Sequence, residues 1–350
     1  LPRINYDANG ENGALLLEPS RQQLIQYSEY FGGWDLSNST ITNNATTSPE
    51  GVDNASLYTS SNATNYVKDI ITAANGTYTL SAFFKRDATD NVRINLSDGV
   101  TGEIRYVFNL ADETSTLTKS GGTISGYSAD FENYGNGWYR LHITATTNAG
   151  TAITAYFETD NETGSFYLYG AMLEQNASYQ SSYIPNHGTS GGVTRAADSC
   201  SVTGASDVIG QTEGTLFYDV NISRVVGNEA LGGINSGAYA NHVTIQRIGN
   251  TFQFVRNSAT QSGATIVTSA TISAGRYKLA IAYKSGDTAC FLNGTQVSTT
   301  QTQTFTNASL SVVRMSGDAI GALPISDSYK QAILFKERLS NAELATLTTL

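Results

Sequence analysis

The sequence predicts an all-β protein: two tandem antiparallel β-sandwiches of jelly-roll type, closed by one short C-terminal helix. Three observations predict it. The chain is rich in Thr, Ser, Asn and Gly and holds 20 Tyr against 13 Phe and 2 Trp; Thr and Tyr suit pleated surfaces, Asn and Gly suit turns. Apolar and polar residues alternate with a period of two in segment after segment, with turn formers between. At 350 residues the chain exceeds one ordinary core, so two domains are expected.

The most informative segment runs from 277 to 297. Tyr277, Leu279, Ile281 and Tyr283 alternate with Lys278, Ala280, Ala282 and Lys284, the period of a half-buried strand. A Ser-Gly-Asp turn follows, then a second strand, then Asn293-Gly294, a dipeptide suited to the two positive-φ positions of a tight hairpin. Antiparallel meanders of this kind build sandwiches.

Ahead of it, Ala14 to Pro19 is a short apolar run stopped by proline, and 28–65 reads as loop with short strands. Strands are then expected at 77–85, 92–96, 104–110, 138–144, 152–157 and 165–169. A Gly-rich connector at 187–193 marks the boundary, giving expected domains 1–190 (with an N-terminal lead-in) and 191–350. The second part resumes with strands at 214–220, 242–246, 251–255, the meander, 310–315 and 332–335. Ser340 with Glu343 forms a capping box, and Leu344 and Leu347 share one helical face.

The net charge of −10 argues against nucleic acid or an anionic membrane surface as partner. No apolar run reaches membrane-span length. Cys200 and Cys290 are the only cysteines, open to one disulfide or two buried thiols. Leu1 is not an initiator Met, and the expectation is a piece of a longer polypeptide.

Two sets of segments now support a family comparison. Gly214–Phe217, the 277–294 meander and Ile333–Leu344 look like the concanavalin A-like, laminin-G-like jelly rolls. Pro2–Tyr6, Leu15–Pro19, Tyr27–Phe31, Gly137–Leu141, Gly170–Glu174, Ser182–Pro185 and Val193–Asp198 are similar to carbohydrate-binding-module-like jelly rolls. With the second set leading into the first along the chain, the series resembles virion fibre, tail or head-decoration proteins of tailed bacteriophages. The resemblance implies a virion surface protein, trimeric, contacting host-cell glycans and other virion proteins, with the attachment region ahead of Leu1. Neither catalytic nor sugar-contacting residues carry over from it.

Strand parity supplies a candidate glycan site. Tyr139, Leu141 and Ile143 take the core face of their strand, so Trp138, Arg140 and His142 share the other. By the same alternation Val92, Ile94 and Leu96, with Tyr106, Phe108 and Leu110, point inward. Arg93, Asn95 and Arg105 are then expected to join the first three on one surface. An aromatic platform beside Arg and His donors holds a sugar or sugar acid by stacking and directed hydrogen bonds.

Other motifs are weaker. Gly188-x-Ser190-x-Gly192 matches a nucleophile elbow in letters only, since it lies in a connector rather than between strand and helix. His142, His187 and His242 lack zinc-ligand spacing. No cofactor is expected; structural calcium in oxygen-rich loops stays open, with Asp53, Asp87, Asp90 and Asp98 among many equivalents. Paired carboxylates for glycoside hydrolysis stay open among 30 acidic residues. Arg140 and His142 echo a jelly-roll polysaccharide lyase, yet the strand motifs of the alginate-cleaving type are absent. The expectation is therefore a non-enzymatic, virion-surface, glycan-adhesive protein, with a purely structural virion role and a lyase or hydrolase as alternatives.

Overall fold

The computed structural model describes residues 3–6, 13–148, 150–258, 265–306, 309–318 and 321–350. Among them the fold is all-β, with every strand pair antiparallel and one α-helix, Asn341–Thr348. The chain divides into a middle unit, Arg21–Arg195, and a flanking unit made of Leu1–Ser20 with Ala196–Leu350.

This division differs from the sequence expectation at one point. The middle unit ends at Arg195, and the first 20 residues group with the C-terminal part. Ala14–Leu17 pairs with Asp327–Phe335, placing Leu17 opposite Asp327 and Leu15 opposite Tyr329. Leu17 and Leu15 join the core of the flanking unit. Arg3 binds Glu18 and Asp198, and the Glu18 amide donates to Asp198 at 2.8 Å. A partner strand some 310 residues downstream leaves no local trace in sequence.

In the middle unit, a six-stranded sheet runs in the order Ser115–Ser120, Glu103–Asn109, Asn91–Ser97, Ala152–Thr159, Tyr66–Thr72, Asp35–Ser37. The second sheet has eight strands, with Ile124–Gly135, Trp138–Thr147, Gly76–Arg86 and Gly164–Gln175 as consecutive neighbours. One core lies between them. Val92, Ile94, Leu96, Ile104, Tyr106, Phe108 and Phe157 come from the first sheet, and Leu80, Phe84, Leu141, Ile143, Phe166 and Leu168 from the second. The inward sets read from alternation are the observed ones.

In the flanking unit, the strand Gly275–Lys284 lies between Glu213–Ile222 and Ala289–Leu292. Leu279, Ile281 and Tyr283 enter the core, while Ala280 and Ala282 lie under Leu344 of the helix. Ser340 and Glu343 form the reciprocal cap. Asn293 and Gly294 adopt φ of 47° and 81°, the left-handed pair that a tight hairpin turn requires. The opposing sheet is ordered Cys200–Thr203, Val312–Met315, Asn228–Asn235, His242–Ile248, Thr251–Asn257, Thr265–Thr271. Cys200 and Cys290 are both free thiols.

Candidate functional site

The six residues singled out by parity all face away from the core, but they do not share a surface. Trp138, Arg140 and His142 lie on the eight-stranded sheet; Arg93, Asn95 and Arg105 lie on the six-stranded sheet. The two triads emerge on opposite outer faces of one sandwich. Alternation fixes which side of its own strand a residue takes; it cannot say which sheet that strand joins.

The first triad is also covered. Trp138 is 3% exposed and packs with Ala55, Phe83 and Tyr169, its indole donating to the Thr47 carbonyl at 3.2 Å. Arg140 is 1% exposed; its guanidinium donates to the Ser181 carbonyl at 2.7 Å and to Ser81 Oγ at 3.0 Å. The segment after Gln175 returns across this face: Gln180 donates to Glu132 at 2.8 Å, and the Ser181 amide to Glu174 at 2.9 Å. Tyr183 lies against Phe83 and Tyr169. His142 is half-buried on the same strand. The indole is therefore part of a second small core, not an open stacking platform.

The second triad lies on the outer face of the six-stranded sheet, and sequence reasoning missed its aromatic neighbours. Register places Lys68 opposite Tyr156, Tyr156 opposite Asn95, and Asn95 opposite Arg105, one row across four strands. Arg93 lies opposite Glu158. Tyr66 and Tyr156 meet edge to face, with centroids 5.6 Å apart at 85°. Lys68 Nζ sits 5.2 Å and 5.8 Å from the two ring centroids, within cation–π range. Both rings are half-buried, so each keeps solvent-facing surface. Tyr66 and Tyr156 stood at outward positions of apolar strands, so the parity argument could have found them.

Charge on this face is organised. Arg93 grips Glu158 through Nε at 2.9 Å and Nη2 at 2.6 Å, and reaches Asp160 at 3.0 Å. The Asn95 amide donates to Glu158 and, at 3.3 Å, to Glu103. Arg105 is open to solvent and pairs with Glu103 at 2.8 Å. Burial pushes the Glu158 carboxyl up, with Arg93 pulling against it. Burial likewise raises the Tyr156 phenol, opposed by Lys68. The face thus offers fixed donors and acceptors beside two rings, the mixture that pyranose hydroxyls and C–H faces require.

The middle unit also has an apolar depression of about 370 Å³ lined by Leu24, Thr72, Ala73, Ala74, Thr151 and Gln175; it has no charged group to orient a sugar. Ser190 stands exposed in a turn, with neither the preceding strand nor the following helix of an elbow. Among the described residues no cluster of His, Cys, Asp and Glu could hold a metal ion.

No protein-family model matches the chain, and no curated protein does. Solved structures similar to it include the CBM40 module of the Ruminococcus gnavus IT-sialidase, at 16% identity and TM-score 0.37, covering 44% of this chain and 97% of that one. The same module bound to alpha2,3 sialyllactose matches at 15% identity and TM-score 0.37, with the same coverage of each chain. Mouse laminin alpha1 chain domains LG4-5 match at 9% identity and TM-score 0.28, covering 89% of this chain and 90% of that one. At these identities and scores the similarities bear on neither ligand nor activity.

Proposed function

We propose that this chain is a non-enzymatic glycan-binding protein, and that the sugar docks on the outer face of the six-stranded sheet of the middle unit. The observation that carries the reading is the Tyr66–Tyr156 corner set in one row with Lys68, Asn95 and Arg105. A pyranose lies with its C–H face on one ring while its hydroxyls reach the Arg105 and Glu103 groups; Asn95, 2% exposed, lies beneath them and holds Glu103 and Glu158. Such a flat site binds weakly by itself. Virion-surface placement with three copies per fibre or decoration, which the ordered sequence resemblance supports, multiplies it by valency.

The test is retention of the purified chain on a panel of bacterial surface polysaccharides, with Tyr156→Ala as its partner. Retention that Tyr156→Ala lowers about tenfold, a loss worth about 1.4 kcal/mol, supports the site. No retention by the intact oligomer overturns glycan binding and leaves the structural virion role. Release of new reducing or unsaturated sugar ends from the same panel would overturn the non-enzymatic reading.

A further inference from the structure

Asparagine is a chemically labile residue, and most so before glycine, which sets no side chain in the way of its own amide nitrogen. The sequence holds five such pairs, beginning at Asn9, Asn12, Asn75, Asn136 and Asn293. Asn9 and Asn12 lie outside the described residues. The other three sit in different surroundings.

Asn293 is held at both reacting groups. Its Oδ1 accepts from the Lys278 amide at 2.9 Å, and the Gly294 amide donates to Thr348 Oγ1 at 3.1 Å. Asn75 is held at both ends of its carboxamide. Its Nδ2 donates to the Asn148 carbonyl at 3.2 Å, and its Oδ1 accepts from the Gly150 amide at 3.2 Å. Gly76 already belongs to a strand, opposite Thr147. In both places the side chain must break its bonds before it can turn onto the next amide, and that local opening costs free energy.

Asn136 carries none of these restraints. Asn136-Gly137 is the two-residue turn between Ile124–Gly135 and Trp138–Thr147, closed by Gly135 opposite Trp138. Both turn residues are exposed, with φ of 51° and 78°, the left-handed pair of a tight hairpin. Among the described residues nothing bonds the Asn136 carboxamide or the Gly137 amide. A Cβ built at Gly137 would meet only the Lys85 side chain, at 3.7 Å. The carboxamide is free to rotate onto the amide beside it.

We propose that Asn136 is a site of spontaneous deamidation, and that the fold confines to this turn a reaction equally open, by sequence, at Asn75 and Asn293. The Gly137 nitrogen gives its proton to solvent base and attacks Asn136 Cγ. The Cγ–Nδ2 bond breaks, and ammonia leaves with a proton taken from water. The five-membered imide then adds one water. Opening at the Cγ–nitrogen bond leaves aspartate and the original main chain. Opening at the main-chain carbonyl leaves isoaspartate, one carbon longer between Gly135 and Trp138. Either product places a new negative charge two residues from Trp138, whose indole belongs to the small outer core. The site is independent of the glycan face proposed above.

The test incubates the whole folded chain at mildly alkaline pH beside a second sample in urea. Peptide mass spectrometry then follows the amide-to-acid exchange at Asn75, Asn136 and Asn293. Conversion in the folded chain about tenfold faster at Asn136 than at the other two, with the rates converging in urea, supports the proposal. Isoaspartate at Asn136, read by the separation of two isomeric peptides of equal mass, identifies the imide route. Absence of conversion at Asn136 in the folded chain overturns the proposal, as do equal rates at all three sites. A difference that persists unchanged in urea belongs to the flanking sequence and overturns the role given to the fold.

Discussion

The Arg140 guanidinium donates to the main-chain carbonyl of Ser181 at 2.7 Å, tying a central strand of the eight-stranded sheet to the segment that crosses its outer face. The contact spans 41 residues and turns a surface position into an interior one. It also decides what substitutions at this sheet report.

Arg140→Ala is expected to destabilise the middle unit by about 2–4 kcal/mol, since it removes charge-assisted bonds and leaves a buried carbonyl unpaired. Trp138→Ala should cost about 3–5 kcal/mol through the cavity it opens. Urea unfolding measures both. A change below about 0.5 kcal/mol at Arg140 would mean the covering segment is not held as described.

Arg105→Ala should behave in the opposite way. Its exposed pair with Glu103 is worth about 0–1 kcal/mol, so stability should hardly move while glycan retention falls. Measuring unfolding and retention on the same preparation separates this from the Arg140 outcome.

Asp327 predicts a pH dependence of the flanking unit. It is buried beside Glu229, and burial with that neighbour pushes its carboxyl up to about 7, against the pull of Ser223 and Arg247. Its Oδ1 accepts from the Ser223 amide at 2.7 Å and hydroxyl at 2.9 Å. Because the folded value lies above the ordinary 3.8, the folded state holds the extra proton. Stability is greatest below about pH 4 from this group and is lost as pH rises through 7. Unfolding free energy should drop by about 2–3 kcal/mol between pH 5 and pH 8, and Asp327→Asn should flatten the profile. An unchanged slope in Asp327→Asn would refute the assignment.

Ser340→Ala removes the side-chain half of the helix cap and should cost about 1 kcal/mol. Hydrogen exchange in Asn341–Thr348 is the sensitive readout, because the loss should first appear as fraying of the first turn.

The sequence alone determined much of this protein. A period of two assigned Val92, Ile94, Leu96, Leu141, Ile143, Leu279 and Ile281 to the core, because a strand has only two faces and water rejects apolar side chains from one of them. Asn293-Gly294 and Ser340 with Glu343 specified a turn and a cap because their chemistry acts within a few residues. Strands without alternation, such as Ile124–Gly135, mostly exposed along its length, escaped that reading. Tertiary structure alone decided the rest: which sheet each strand joined, which outer face a returning segment covered, and that Leu15 and Leu17 pair with a strand near the C-terminus. Those outcomes depend on contacts between residues tens to hundreds of positions apart, which local spacing does not encode. Hence the outward side chains were legible one by one, while the surface that could bind a ligand was not.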